Sequence, residues 1–388
     1  MISRLAAALV LPLLATTVLP AQQPAPAATA DNPWLVLMTQ AASHARQHHA
    51  ATPVLSPYDN TVLPDSAPRV PIQQLQALGI RVIPWTTDEP EKMRAVLRTS
   101  VDGLITDRPD LLQRVLAEER AAHPNEPGLE HFVVSAHRGG RGLRPENTLP
   151  SFESGLDQLS SELETDTAVS TDHVSLIWHD QFYNPQSCRR ADGSPYTLAN
   201  RVYLRDISSR DAQQQFICDK LHFGPDQKND LALSPVAVAF AQKEGMPSPY
   251  APTYVAQLFR FVAFYADYYA TGPGKNTPHA AERAANARRV RFNLETKIMS
   301  DPMVAAERTI HPDIPVDLLQ NHTLDPQAFV TTLAGIITQY HMENRAEIQS
   351  FDFRTLALTQ EQFPRIPTYY LTNDAKSFTL DFVRATTH

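Results

Sequence analysis

Glu164 and Asp166 stand two positions apart in an apolar stretch, Leu163–Ala168. Alternate residues of a strand share a face, so the two carboxylates aim at one point in space. Hard oxygens gathered this way suit a divalent cation, Ca²⁺ or Mg²⁺. The apolar run before them ends in Ala136-His137-Arg138-Gly139-Gly140, and the run after them in Trp178-His179-Asp180. Further along, Asn293-Leu294-Glu295-Thr296-Lys297 puts Glu295 and Lys297 on a common face, adding a third carboxylate and a cation. Together these residues hold the parts for phosphodiester cleavage. Carboxylates bind a metal that polarises phosphoryl oxygens and lowers the pKa of a bound hydroxyl. Arg138 and Lys297 meet the phosphate charge, a guanidinium by gripping two oxygens and an ammonium as a point charge. His137 and His179 move protons, one taking and one giving, and the sequence leaves open which does which.

These side chains need a scaffold that brings strand ends together. From residue 132 onward, short apolar runs alternate with longer amphipathic ones, with strands expected at 132–136, 163–168, 174–179, 290–297, 348–353 and 368–371. Helical spacing of apolar residues marks 149–158, 253–269 and 325–341. The first third adds two strand-helix units, 80–85 with 89–98 and 103–106 with 109–119. The expectation is an α/β fold, a (β/α)8 TIM barrel, with residues at the C-terminal strand ends doing the chemistry. Residues 181–251 are poor in periodic pattern and rich in Asp, Asn, Ser and Pro, and read as a long insertion over the sheet's end. Residues 119–131 read as a linker and 271–285 as a mobile connection.

The insertion holds the two cysteines of the chain, Cys188 and Cys218, which can close a disulfide in an oxidising compartment or stay as free thiols. Residues 1–30 read as an export signal, with Arg4, an apolar run from Leu5 to Leu19 and a small-residue cleavage site at Ala28-Thr29-Ala30. That run is shorter than the roughly 20 residues of a membrane span, so no stable span is expected after its removal, and the protein is expected to be secreted or periplasmic. A formal net charge of −8 argues against nucleic acid as a partner, since such binding draws on Lys and Arg neutralising phosphates. The cluster His44, His48, His49 has helical spacing, but no carboxylate accompanies it in sequence, and it reads as helix surface.

His137-Arg138-Gly139, Pro145-Glu146-Asn147-Thr148, Glu164-x-Asp166, His179-Asp180 and Asn293-Leu294-Glu295-Thr296-Lys297, in that order, resemble the motifs of the glycerophosphodiester phosphodiesterase family, within the phospholipase C-like phosphodiesterase superfamily. The resemblance implies catalytic His137 and His179, metal ligands Glu164, Asp166 and Glu295, phosphate contacts Arg138 and Lys297, and a supporting carboxylate, Glu146. It implies hydrolysis of a small-molecule glycerophosphodiester to sn-glycerol 3-phosphate and an alcohol. Residues 54–112, among them Leu78–Thr86 and Val101–Pro109, resemble the family's usual ending. The order is thus circularly permuted: 33–118 resembles the C-terminal end, strands 7 and 8, and 132–388 carries strands 1 to 6, with the insertion after the third. A duplicated and truncated gene, or a partner chain supplying strands, is the rival account, and the oligomeric state stays open. Trp85 either lines a glycerol pocket or packs at the barrel mouth. Two other functions stay open: a phospholipase or sphingomyelinase D-like enzyme, whose tail motif Asp31-Asn32-Pro33-Trp34 resembles, and a non-catalytic binder of phosphorylated head groups.

Overall fold

A computed structural model describes residues 32–310 and 313–387; the leader expected at 1–30 lies outside the described residues. Its strands in chain order are β1 (Val54–Pro57), β2 (Gly103–Thr106), β3 (Val133–Ala136), β4 (Glu162–Val169), β5 (Ser175–Ile177), β6 (Arg189–Arg190), β7 (Phe216–Ile217), β8 (Arg291–Thr296), β9 (Ala346–Ser350) and β10 (Thr368–Thr372). Seven of them pair in parallel in the order β1-β10-β9-β8-β4-β3-β2. The extended segment 80–85 closes the ring. Leu55 and Trp85 amides donate to Arg81 and Pro57 carbonyls on one side, and Asp102 and Ile105 amides donate to Val82 and Pro84 carbonyls on the other. One chain therefore supplies every stave of the barrel.

The stave inventory differs from the sequence reading in one member. Residues 175–177 pair antiparallel with β4 as a side hairpin that leads into His179, and the eighth stave is β1. Residues 54–106 thus carry three staves rather than two, and 133–372 carry five. The apolar composition of 174–179 suits either role, because β5 is buried on the barrel's flank by Val255 and Leu258 in the same core.

Outer helices form where sequence caps and apolar periodicity agree. Thr148 accepts the Ser151 amide ahead of Leu149–Asp157, Asp325 accepts the Ala328 amide ahead of Pro326–Gln339, and Asn32 accepts the Leu35 amide ahead of Pro33–Gln47. A proline sits in the first turn of each, where its missing N–H costs no bond. The linker read at 119–131 is shorter than expected, since helix Pro109–Ala122 runs into it and Leu129 is buried in the core. The connection at 271–285 likewise ends in helix Ala280–Arg289, whose alanines pack against Val255–Ala270. No helix among the described residues is long and apolar enough to cross a membrane.

The insertion has a small core of its own, Trp178, Tyr183, Leu204, Ile207, Phe216 and the disulfide Cys188–Cys218. Its end is different: Val236, Ala237 and Phe240 of helix Pro235–Glu244 join the main core.

Candidate active site

Strand pitch and register build the centre. Glu162, Glu164 and Asp166 alternate along β4 toward the barrel interior, and the register sets Asp166 beside Glu295, and Glu295 beside Gln349. Glu164, Asp166 and Glu295, all buried, each bring a carboxylate oxygen within 4.8 Å of the other two. Three carboxylates this close repel one another. Burial, then the charges of Asp166 and Glu295, push Glu164 well above the usual carboxylate range. Burial also raises Glu295, with Lys297 opposing and Asp166 adding to the rise. Burial would raise Asp166 too, but Arg138, His179, Lys297 and His137 outweigh it and hold this carboxyl below its ordinary value.

The donor set fits a hard divalent cation. Asp166 Oδ1 and Gln349 Oε1 are buried oxygens without a hydrogen-bond partner, and Gln349 is anchored by its own amide donating to Glu164 Oε1 at 2.6 Å. Oxygens left bare among mutually repelling carboxylates are what a cation with oxygen ligands would satisfy.

Around this centre lie the cations and imidazoles. Arg138 is held in the left-handed region (φ 49°) at the end of β3, a costly conformation for a side-chain-bearing residue. It is fixed there: its amide donates to Glu164 Oε2 at 2.9 Å, its Nη1 to Glu146 Oε2 at 2.5 Å, and its Nε lies 3.2 Å from Asp166 Oδ2. Gly139 follows at φ 82°, where a Cβ would come within 2.7 Å of the Phe152 amide nitrogen, so the loop closes on helix Leu149–Asp157 only with glycine. Lys297 Nζ donates to Glu295 Oε1 at 2.8 Å and stands 3.7 Å from Asp166 Oδ1. His137 Nδ1 lies 2.5 Å from Asp107 Oδ1, and its Nε2 lies 3.9 Å from Glu164 Oε2. Burial and then Arg141 lower His137 to about 4, against the opposing pull of Asp107. His179 Nδ1 lies 2.8 Å from Asp180 Oδ1, whose other oxygen accepts from Asn184 at 2.7 Å. The structure therefore brings His137, Arg138, Glu146, Glu164, Asp166, His179, Glu295 and Lys297 to one rim, at the C-terminal ends of the strands.

Trp85 sits on the same rim as a packing residue. Its indole N–H donates to the Ser56 carbonyl at 3.0 Å, and its ring meets Tyr58 and Phe351 edge-on. Asp352 caps helix Phe353–Gln362 and pairs with Arg354, away from this chemistry.

Several participants escaped the sequence reading. Asp107, one residue past β2, binds both His137 and Arg141; an acid just beyond a barrel strand was its available signal. Asn147, inside a quoted motif but given no role, donates to Asp166 Oδ2 at 2.8 Å and accepts from Thr165. Ser187 and His222 reach in from the insertion: Ser187 Oγ donates to Glu146 Oε1 at 2.9 Å and lies 2.6 Å from His222 Nε2. Nothing in their local sequence marks them.

The family model for glycerophosphoryl diester phosphodiesterases matches residues 1–111 and 137–247, more than half of the chain. A Mycobacterium tuberculosis protein assigned as glycerophosphodiester phosphodiesterase 2 is 49% identical over 45 residues, 12% of this chain and 17% of that protein. Among solved structures, a Silicibacter pomeroyi protein described as a glycerophosphoryl diester phosphodiesterase aligns at TM-score 0.40 and 20% identity, covering 61% of this chain and 64% of that one. An Oleispira antarctica phosphodiesterase, solved with the product sn-glycerol-3-phosphate, aligns at TM-score 0.35 and 15% identity, covering 61% and 65%. The chain thus spans less than two thirds of each of these relatives. The assignment rests on the sequence match over residues 1–111 and 137–247, and by it the chain belongs to the glycerophosphoryl diester phosphodiesterase family.

Proposed function

We propose that this protein is a metal-dependent phosphodiesterase that hydrolyses glycerophosphodiesters to sn-glycerol 3-phosphate and an alcohol. The observation that carries the reading is the meeting of three buried carboxylates, Glu164, Asp166 and Glu295, with two imidazoles each oriented by its own aspartate.

Glu164, Asp166 and Glu295 would hold the divalent cation, Ca²⁺ or Mg²⁺, which supplies Lewis-acid polarisation of a phosphoryl oxygen. Arg138 and Lys297 add positive charge where the transition state gathers negative charge, and both are fixed before substrate arrives, so little reorganisation is needed. His137 is the better base. Its Nδ1–H donates to Asp107, which leaves the Nε2 lone pair facing the carboxylate centre, and its lowered pKa keeps it unprotonated at neutral pH. His179, about a third exposed and held by Asp180, is then the acid that protonates the leaving alkoxide. Export of the protein is part of the proposal, supported by the leader-like residues 1–30 and by a disulfide that suits an oxidising compartment.

The test is turnover of glycerophosphocholine with and without a chelator. Expected products are sn-glycerol 3-phosphate and choline, with activity lost on chelation, restored by Ca²⁺ or Mg²⁺, and abolished in His179→Ala. Absence of turnover on any glycerophosphodiester with metal present would overturn the reading. Turnover of sphingomyelin or a lysophospholipid in its place would move the activity to lipids.

A further inference from the structure

The histidine pair on the first helix is not bare surface. His44, in the last turn of Pro33–Gln47, and His48, which caps that helix, lie near the end of helix Phe353–Gln362, and Glu361 of that helix places a carboxylate oxygen 3.2 Å from His44 Nε2. Donor atoms of His44, His48 and Glu361 all lie within 4.8 Å of one another. The missing carboxylate comes from across the fold.

A second observation fixes the chemistry of His44. Its Nδ1 lies 2.8 Å from Oε1 of Gln360, a fully buried side chain. The Gln360 amide nitrogen is engaged on its other side, donating to Thr368 Oγ1 at 3.0 Å. Gln360 therefore presents an acceptor, and His44 must place a proton on Nδ1. In the neutral imidazole Nε2 is then a lone pair aimed at a carboxylate oxygen. Two acceptors do not bond at 3.2 Å unless a proton or a metal cation stands between them. Metal-binding histidines show this pattern, the far ring nitrogen donating to a buried acceptor that fixes the ring and its tautomer.

We propose that His44, His48 and Glu361 form a second, structural metal site for a borderline divalent cation, Zn²⁺ first, separate from the carboxylate centre. Two imidazoles and one carboxylate exclude Ca²⁺ and Mg²⁺ as preferred occupants and suit Zn²⁺. Bonds near 2 Å set tetrahedral donors roughly 3.3 Å apart, so side-chain rotation closes the site. A cavity of about 450 Å³ bordered by His44, Gln47 and Arg354 adjoins His44. Occupied, the site staples the first described helix to the helix between β9 and β10.

Tag-free full-length protein, saturated with Mg²⁺ to fill the carboxylate centre, is titrated with Zn²⁺ by calorimetry beside His44→Ala, His48→Ala and Glu361→Gln. The wild type takes up one Zn²⁺ whose affinity falls more than about 10-fold on loss of a histidine, and its unfolding temperature rises with free Zn²⁺. Glu295→Gln keeps this Zn²⁺. Equal Zn²⁺ affinity in wild type and both histidine variants would overturn the site, as would its loss in Glu295→Gln alone.

Discussion

Asp107 holds His137 and Arg141 together: its Oδ1 lies 2.5 Å from His137 Nδ1 and 2.8 Å from Arg141 Nε. Burial works against its charge, yet His137 and then Arg141, both bonded to it, keep its carboxyl below the ordinary range. A carboxylate in this place fixes which imidazole nitrogen carries the proton. Asp107→Asn keeps the shape and can offer an amide N–H to Nδ1, which favours the wrong tautomer. The expected loss in kcat is about 10²- to 10⁴-fold, with thermal unfolding close to wild type. A variant within threefold of wild-type kcat would show that Asp107 does not orient a reacting imidazole.

Ser187 ties the insertion to Arg138 through Glu146. Its single hydroxyl proton goes to Glu146, so His222 must present an Nε2–H to the same oxygen, and Glu146 in turn holds Arg138. Its chain neighbour Cys188 is bonded to Cys218, a closure worth about 3–4 kcal/mol by loop entropy. Ser187→Ala removes one hydrogen bond to a charged group, about 1.5 kcal/mol, and kcat/KM should fall about 10-fold, with Ser187→Thr recovering most of it. Reduction of the disulfide should mimic Ser187→Ala in kinetics while also lowering the unfolding temperature. Unaltered kinetics in Ser187→Ala would confine the insertion to shape alone.

What the sequence shows and hides follows from the range of each interaction. The β4 carboxylates were readable because strand pitch is local: Glu164 and Asp166 share a face whatever surrounds them. Glu295 and Lys297 were readable for the same reason. The hairpin strand at 175–177 reads as a stave because burial alone sets its apolar pattern, and pairing direction leaves no mark in three residues. The stave Val54–Pro57 is too short to show alternation. Asp107 with His137, Gln349 with Glu164 and Glu361 with His44 are joined across 30, 185 and 317 positions; barrel closure and helix packing create these contacts, and no local pattern encodes them.

Glu153 makes stability depend on pH in an unusual direction. It is buried in helix Leu149–Asp157 and accepts the amides of Val236 and Ala237 at 3.1 and 2.6 Å, capping helix Pro235–Glu244. Burial, then Asp157, raises its carboxyl to about 8, above the ordinary 4.5. The folded state thus binds a proton that the unfolded state has released between these two values. This contribution is fully present below about 4.5 and is lost as pH rises through about 8. Glu153→Gln cannot ionise and should flatten that part of the profile, so that its unfolding temperature gains on wild type as pH rises. Parallel profiles for the two proteins would place the Glu153 pKa near its unfolded value.

The closed ring of staves makes a prediction about connectivity. Trp34, at the start of the first helix, donates its indole N–H to Thr372 Oγ1 of β10 at 2.9 Å and stacks on Phe378 at 5.4 Å, and Val383 of the last helix lies in the same core. The first helix therefore packs beside the last segment of the chain, with Thr387 near His44 and Gln47, and a flexible linker running back along that helix can join 387 to 32. On the opposite side, 123–126 is an exposed turn between helix Pro109–Ala122 and β3. A chain opened there and joined from 387 to 32 restores the order in which the β3 motif comes first, with every stave hydrogen bond available. Ring closure through segment 80–85 does not depend on the 119–131 connection, because both its partners, β1 and β2, lie in the same rejoined half. The rearranged protein should show the same far-ultraviolet dichroism, and its kcat should lie within about threefold of wild type, since the active-site staves keep their neighbours. An insoluble product, or a folded one without turnover beside an active wild type, would mean that residues 119–131 set the barrel's register rather than merely joining two adjacent staves.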